Sequence, residues 1–514
     1  MRQAPQGTDP AGDATAAAAS ATPERTFAGF NWRYWNANII EMWERLAYYT
    51  LRPVAPIYIM QATEPGGLHL TAMHKGTIYA WWAICQSLLP MVTGGYADRY
   101  GYKRTLCFSI TMNIIGYLLM AWFHSYAGFF VGVLVLATGT AFFKPSLQAT
   151  LAHNLSKANS SLGWGVFYWV VNVGSLIGHY LSPLLLASHD VQGWRTLFLV
   201  CAGFTALNYL LLFTYTDVPS GAHRTDNPLQ VFVRTIKHAF EPRLLVWLAI
   251  MSCFWLMMYQ LWDLQPNFIE DWVDSAMVAQ YMPFASWQEM GDRGLLRVPQ
   301  QVLISLNALL IVLFMVPVSL AVRKLRTLTA MLFGMLICVG GVLIAGLTGH
   351  GWILLAGIFC FSLGEMLTGP KKNEYLGLIA PPGMKGLYLG YVNIPVGVGV
   401  FAGSYIAGYV YGHFGEKAIL ALKYLATHTA FGADKGWDGR VGLLETVLGV
   451  PRTQAFAKLQ EVLGIDGVQA TQLLWDTYHP HYVVWLPFAA IGLVASVALC
   501  IYGQLAKRWH DMNA

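Results

Sequence analysis

Residues 41–52 read EMWERLAYYTLR, inside a stretch, 38–60, that is otherwise apolar enough to cross a membrane. Glu41, Glu44, Arg45, Tyr48 and Arg52 recur at the spacing of one face of an α-helix. Along the axis that face extends about 16 Å. An i,i+4 pair of Glu41 with Arg45, or an arginine snorkelling to the rim, would account for one pair of charges but not for four. A mid-membrane charge facing lipid costs about 2.5–3.5 kcal/mol. The stripe is therefore read as one wall of a polar cavity enclosed by several helices, and the fold as a polytopic helix bundle.

The rest of the chain agrees. Of 514 residues, 56% are hydrophobic and 11% charged, where a soluble domain carries about 25% charge. The apolar residues come in blocks long enough to span hydrocarbon as helices, and they do not alternate as the strands of a membrane barrel would. The net charge of +5 is not gathered into a basic patch, so nucleic acid is not an expected partner. The seven cysteines lie in or near expected spans with no CxxC pair, which excludes a disulfide frame or zinc site from the expectations. No Ser-His-Asp or metal-ligand spacing points to an enzyme, and no cofactor is expected.

Twelve spans are expected, near 38–60, 74–97, 103–124, 126–152, 161–188, 194–216, 243–268, 300–322, 327–349, 351–376, 386–413 and 481–505. Lysine and arginine concentrate in alternate short loops, at Arg99, Lys103 and Arg104, then Lys157, Arg234, Lys237, Arg243, Arg323, Lys324, Arg326, Lys371, Lys372 and Lys385. The intervening loops, such as HSYAG and LTGH, carry almost none. This asymmetry predicts a multi-pass protein of the cytoplasmic membrane with both termini in the cytoplasm. The division is an all-α membrane protein of two six-helix bundles. Residues 1–30 form a disordered tail, 31–216 the first bundle, 217–242 a cytoplasmic linker and 243–514 the second bundle. Six spans plus six suggest a substrate site between related halves.

An insertion at about 414–480 interrupts the second bundle on the outer side. Within it, LETVLGVPRTQA at 444–455 is echoed by LQEVLGIDGVQA at 459–470. Each unit reads as a helix end, a glycine stop and a new start. A packed cap is the plain reading; a lid or partner-binding surface is the other. The run GVGVFAGSYIAG at 397–408 lies in an apolar span with no strand before it, so it reads as small-residue helix packing. Trp32, Trp35 and Trp194 are expected at membrane interfaces.

Further charges sit at depth: Lys144 in GTAFFKPSLQAT, Asp263 in MYQLWDLQP and Glu365 in SLGEMLTGP. Ionisable groups inside a membrane mark ligand or proton sites by default. At these residues the chain resembles the proton-dependent oligopeptide transporter family of the major facilitator superfamily. E-x-x-E-R-x-x-Y-Y (Glu41, Glu44, Arg45, Tyr48, Tyr49) is similar to that family's first-helix signature. GGYADRYGYKR at 94–104, with Asp98, Arg99, Gly101 and Lys103, resembles the superfamily's loop motif. FFKP, FYWVVNVGSL at 167–176, SLNALLI at 305–311 and GEML with Pro370 resemble further family segments.

The resemblance implies the major facilitator fold and a set of roles. Arg45 and Lys144 would hold a peptide carboxylate. Tyr48, Tyr49 and Asn172 would line the pocket, and Glu365 would meet the amino end. Glu41 and Glu44 would take part in proton coupling, protons being the coupling ion. Arg52, Asp98 and Arg99 would act in gating. The chain departs from the family on the seventh helix, where FWLMMYQLWD has Met258 and Tyr259 before Gln260 in place of a glutamate. Asp263, a turn further on, is the expected substitute. The function expected is proton-coupled symport of di- and tripeptides by a monomer in the lipid bilayer. A transporter for another small carboxylate or metabolite, and a non-transporting receptor or assembly partner, remain as alternatives.

Overall fold

A computed structural model describes residues 26–27, 29–155, 159–188, 190–217, 240–322, 325–380 and 390–508. The first half holds α1 (Trp32–Leu51), α2 (Ala55–Met60), α3 (Ala72–Leu88), α4 (Pro90–Tyr100), α5 (Tyr102–Trp122), α6 (Tyr126–His153), α7 (Ser160–Leu185) and α8 (Val191–Thr214). The second half begins with α9 (Pro242–Met258), α10 (Gln260–Asp263), α11 (Gln265–Trp272) and α12 (Ala276–Ala279). The longer helices α13 (Gln300–Val322), α14 (Thr327–Gly346), α15 (Gly351–Ile379) and α16 (Asn393–Phe414) follow. Five short helices come next: α17 (Lys417–His428), α18 (Ala430–Ala433), α19 (Leu444–Leu448), α20 (Ala455–Leu463) and α21 (Gly467–Tyr478). The last helix is α22 (Pro480–Arg508).

Among the described residues, nine helical segments are long and apolar enough to cross a membrane. The expected spans at 38–60, 74–97 and 161–188 are helical without such a window. Charges interrupt the first, and α3 ends at Leu88 with Pro90 opening α4. Asn172, Ser175, His179 and Ser182 lower the apolarity of the third.

The packing repeats between halves. α1 lies against α7 and α8, α5 against α6 and α8, and α3 against α6. Correspondingly, α9 lies against α16 and α22, α14 against α15 and α22, and α13 against α15. The halves meet where α3 crosses α16 and where α7 crosses α13, so each crossing is the counterpart of the other. This is the arrangement of two repeats with a site between them.

The α3–α16 crossing is a backbone contact. A Cβ on Gly76 would lie 2.5 Å from the Ser404 carbonyl oxygen, and one on Gly408 would lie 2.8 Å from that of Ala72. Gly76→Val is expected to cost about 1–3 kcal/mol by overpacking. Thermal unfolding in detergent measures this, and an unchanged midpoint would mean the crossing has slack.

Several boundaries differ from expectation. The end of the expected tail is structured: Thr26–Phe27 (β1) pairs antiparallel with Phe30–Asn31 (β2), and Trp35 Nε1 donates to the Phe27 carbonyl at 3.0 Å. Asn31 then caps α1, accepting from Tyr34 N at 2.9 Å. The first span starts at Trp32 and breaks after Leu51, where Pro53 and Pro56 remove two backbone donors. The seventh span is interrupted at Tyr259 and again at Leu264, just before Pro266. Trp194 is buried, 1% exposed, and donates to Glu64 at 3.0 Å, so it is not an interface anchor. Residues 1–25 and nearly all of the expected linker lie outside the described residues.

The insertion is helical and carries the echo as read. Gly449 ends α19 and Gly464 ends α20, both in the left-handed conformation. Asp466 then starts α21 with a capping box to Gln469. The long connection between α12 and α13 contains a short hairpin, β3 (Glu289–Met290) with β4 (Leu296–Arg297).

Candidate functional site

The stripe on α1 is folded inward. Glu41, Glu44 and Arg45 are each 2–3% exposed. Arg45 Nε lies 3.3 Å from Glu41 Oε1, and its guanidinium also contacts the Glu44 carboxylate. Arg45 therefore holds two carboxylates at once, which its planar fork suits. α6 brings Lys144 alongside, with Arg45, Glu41 and Glu44 as its charged neighbours. Pro145 lies inside that helix directly after Lys144, where a proline opens the backbone ladder.

The tyrosines divide. Tyr48 is 4% exposed, lies under the Arg45 guanidinium at 4.9 Å, and donates to Gln86 Oε1 at 3.0 Å. It is buried in the same wall as Arg45, Glu41 and Glu44. Tyr49 is half-buried, stacks on His179 at 5.8 Å and has Glu365 among its charged neighbours. Asn172 is buried and donates to the Tyr168 carbonyl of its own helix at 2.9 Å. Opposite, Glu365 accepts from Asn307 Nδ2 at 2.9 Å and has Lys372 nearby. Lys372 itself lies 4.1 Å above the Trp255 ring. Pro370, one turn beyond Glu365, repeats the proline device of α6.

A second cluster joins the halves at one end of the bundle. Asp263 is paired with Lys75 of α3 at 3.0 Å, both fully buried. Lys75 also donates to the Asp263 carbonyl at 2.6 Å and to Asn267 Oδ1 at 3.3 Å, and Ser404 donates to Asp263 Oδ2 at 2.5 Å. Asp263, the expected substitute for the seventh-helix glutamate, thus has Lys75 as its direct ion-pair partner, and it is also one of the charged neighbours of Arg52. Arg52 is stacked on Tyr79 at 4.0 Å and Trp82 at 4.4 Å, with Tyr259 at 5.7 Å. Those rings attract the cation, while the direct ion pair of Asp263 is with Lys75.

Around this pair the halves are stitched further. Asn267 donates to the Pro56 carbonyl at 3.2 Å and to Gln61 Oε1 at 3.2 Å, and Gln61 donates to Asp271 at 2.7 Å. Gln300 Nε2 donates at 2.8 Å to the Pro53 carbonyl, beside the break in the first span. Tyr411 donates to Asp271 at 2.6 Å. The bundle is closed at this end.

At the other end, Arg99 is exposed, with its guanidinium 5.7 Å from the Tyr100 ring centroid. The Asp98 side chain lies outside the described residues. The loop motif is held by Gly101, whose φ of +94° places a would-be Cβ 2.8 Å from Asp217 Oδ2. Lys103 Nζ donates to the Tyr215 carbonyl at 3.0 Å.

Sequence reasoning missed Lys75, Asn267, Gln61, Asp271 and Lys372. Lys75 follows the expected start of a span by one residue and reads as an end charge. Lys372 was read only as a loop cation. Their signal is a polar residue close to a span end, inside it or just beyond, which is common enough to be uninformative without the partner helix.

The Major Facilitator Superfamily profile matches residues 40–404, which covers both clusters. The chain belongs to the Major Facilitator Superfamily. Within it, the chain is similar to the peptide transporter YePEPT of Yersinia enterocolitica subsp. palearctica serotype O:3 (strain YE-P4), at 27% identity over 201 residues, 38% of this chain and 39% of that one. It is also similar to dipeptide and tripeptide permease A of Escherichia coli (strain K12), at 27% over 166 residues, 31% of each chain. The matched stretch thus spans only about a third of the curated relatives' length.

Over most of the chain, the superfamily fold is shared with two kinds of solved transporter. One is a POT family transporter in complex with a thioalcohol-conjugated peptide, with a TM-score of 0.63 and 15% identity over 95% of this chain and 98% of that one. The other is a nucleoside transporter, with a TM-score of 0.65 and 11% identity over 91% and 99%. Fold likeness at this level does not separate the substrates.

Proposed function

We propose that the protein is a secondary active transporter that carries di- or tripeptides together with protons across the cytoplasmic membrane, with both termini in the cytoplasm. The observation that carries the reading is Arg45 held between Glu41 and Glu44, with Lys144 beside it and Glu365 across the seam. Cations for a carboxylate and an anion for an ammonium are the pattern a zwitterionic peptide needs. The similarity to named peptide transporters supports the same reading.

In this scheme the structure is the substrate-free arrangement closed on the outer side. Protonation of Glu41 or Glu44 releases Arg45, which then binds the peptide carboxylate with Lys144. Tyr49 offers an aromatic wall for side chains, and Glu365 receives the amino end. Asp263 is the second proton site: its neutral form no longer holds Lys75, and the outer contact loosens. Rocking about the α3–α16 and α7–α13 crossings exposes the site to each side in turn. No metal or prosthetic group enters the cycle.

Reconstitution into liposomes with an imposed inward proton gradient tests this. Dipeptides and tripeptides should accumulate and should bring protons in with them. Folded protein that gives no peptide-dependent proton entry would reject the reading. The same panel, extended to other small carboxylates and metabolites, tests the alternative substrates on this scaffold.

A further inference from the structure

The insertion crosses the seam between the halves. Arg452, 5% exposed, sits between α19 and α20. Its Nη1 lies 3.0 Å from Glu416 Oε1, at the end of α16. Its Nη2 donates to the His69 and Leu70 carbonyls at 2.7 Å each, with the Met60 carbonyl at 3.4 Å. Those carbonyls belong to the first half, in the segment joining α2 to α3. His69 has φ +50°, one of two non-glycine residues with positive φ among the described residues, a conformation that costs energy. The strained backbone presents its carbonyl to the arginine.

We propose that the insertion is a strap of the outer gate, with Arg452 as its buckle. A cap belonging only to the second half would need no bond to the first. Arg452 spends one nitrogen on its own half and the other on the partner half. The outer side cannot open unless the His69 and Leu70 bonds part, so they must break and reform once per transport cycle. Gln61 and Asp271 close the same seam. Met60, Gln61, Asp271, Glu416, Arg452 and Phe456 line one small cavity there. The strap therefore adds to the outer gate a contact made from outside the spans, and weakening it shifts the resting protein toward outward opening.

The inference rests on the alternating access proposed above but not on the substrate, and its test reads a distance instead of uptake. Spin labels at Thr63→Cys and Gln280→Cys, both exposed and on opposite halves, report the outer gate in a background with native cysteines replaced. In reconstituted protein without substrate, Arg452→Ala should raise the long-distance population about tenfold, the scale of a lost charge-assisted bond. Arg452→Lys keeps the charge but cannot fork across the carbonyls, and should give the same shift at smaller size. It carries the test if the alanine variant does not fold. An unchanged distance distribution in whichever variants fold overturns the proposal, even if peptide uptake is later found. A shift in protein that transports no peptide would uphold the strap and reject the substrate.

Discussion

Asp263→Asn is expected to abolish proton-driven accumulation while leaving counterflow exchange intact, and Lys75→Met is expected to destabilise the fold by about 3–5 kcal/mol. Both follow from the same pair, 3.0 Å apart and 0% exposed at each end. Removing the lysine leaves a carboxylate that has, among the described residues, only Ser404 as a side-chain hydrogen-bond donor. Removing the negative charge instead leaves Lys75 with the Asp263 carbonyl and the Asn267 amide oxygen as acceptors. That mimics the protonated state and fixes the outer contact in its weakened form. A Lys75→Met/Asp263→Leu double variant should recover most of the lost stability, because both buried charges leave together. Thermal unfolding measures the first effect, and paired accumulation and counterflow assays the second. Accumulation at the native level in Asp263→Asn would remove the pair from the coupling scheme.

The second large effect is expected at Arg45. Arg45→Ala should reduce peptide uptake at least about a hundredfold, equivalent to about 2.7 kcal/mol. Two consequences combine. The substrate carboxylate loses its forked partner, and Glu41 and Glu44, 3% and 2% exposed, lose their shared cation. Arg45→Lys should restore stability better than transport, since a point charge satisfies the glutamates but not the bidentate geometry. Initial-rate uptake in liposomes against folded yield separates the two. Native uptake by Arg45→Ala would move the carboxylate site elsewhere, with Lys144 the next candidate.

The architecture was readable because hydrophobic block length and helical spacing are local properties. EMWERLAYYTLR announces its inward face by period alone, and the glycine stops at Gly449 and Gly464 announce themselves by their neighbours. The partnerships were not readable. Nothing near Lys75 in the chain indicates Asp263, 188 residues away, and Arg52 does not advertise that it will stack on Tyr79 and Trp82. The family pattern points to a missing seventh-helix glutamate, whereas the structure pairs its expected substitute, Asp263, with Lys75 of α3. Trp194 misled for the same reason: its position suggested an interface, but Glu64 and the packed rings around it decide its burial. The partners of Arg452 were equally hidden, because an arginine in a long loop is ordinarily a solvated one.

The bare crossing of α3 and α16 has a kinetic consequence. With Trp81 on Phe401 as a ring contact further along the crossing, Gly76 and Gly408 set backbone against backbone at the point of closest approach. Such a contact can pivot without a ratchet, so it adds little friction to the exchange between states. The temperature dependence of turnover should then follow the breaking of the buried ion pairs at the closed end, leaving the fulcrum itself nearly athermal.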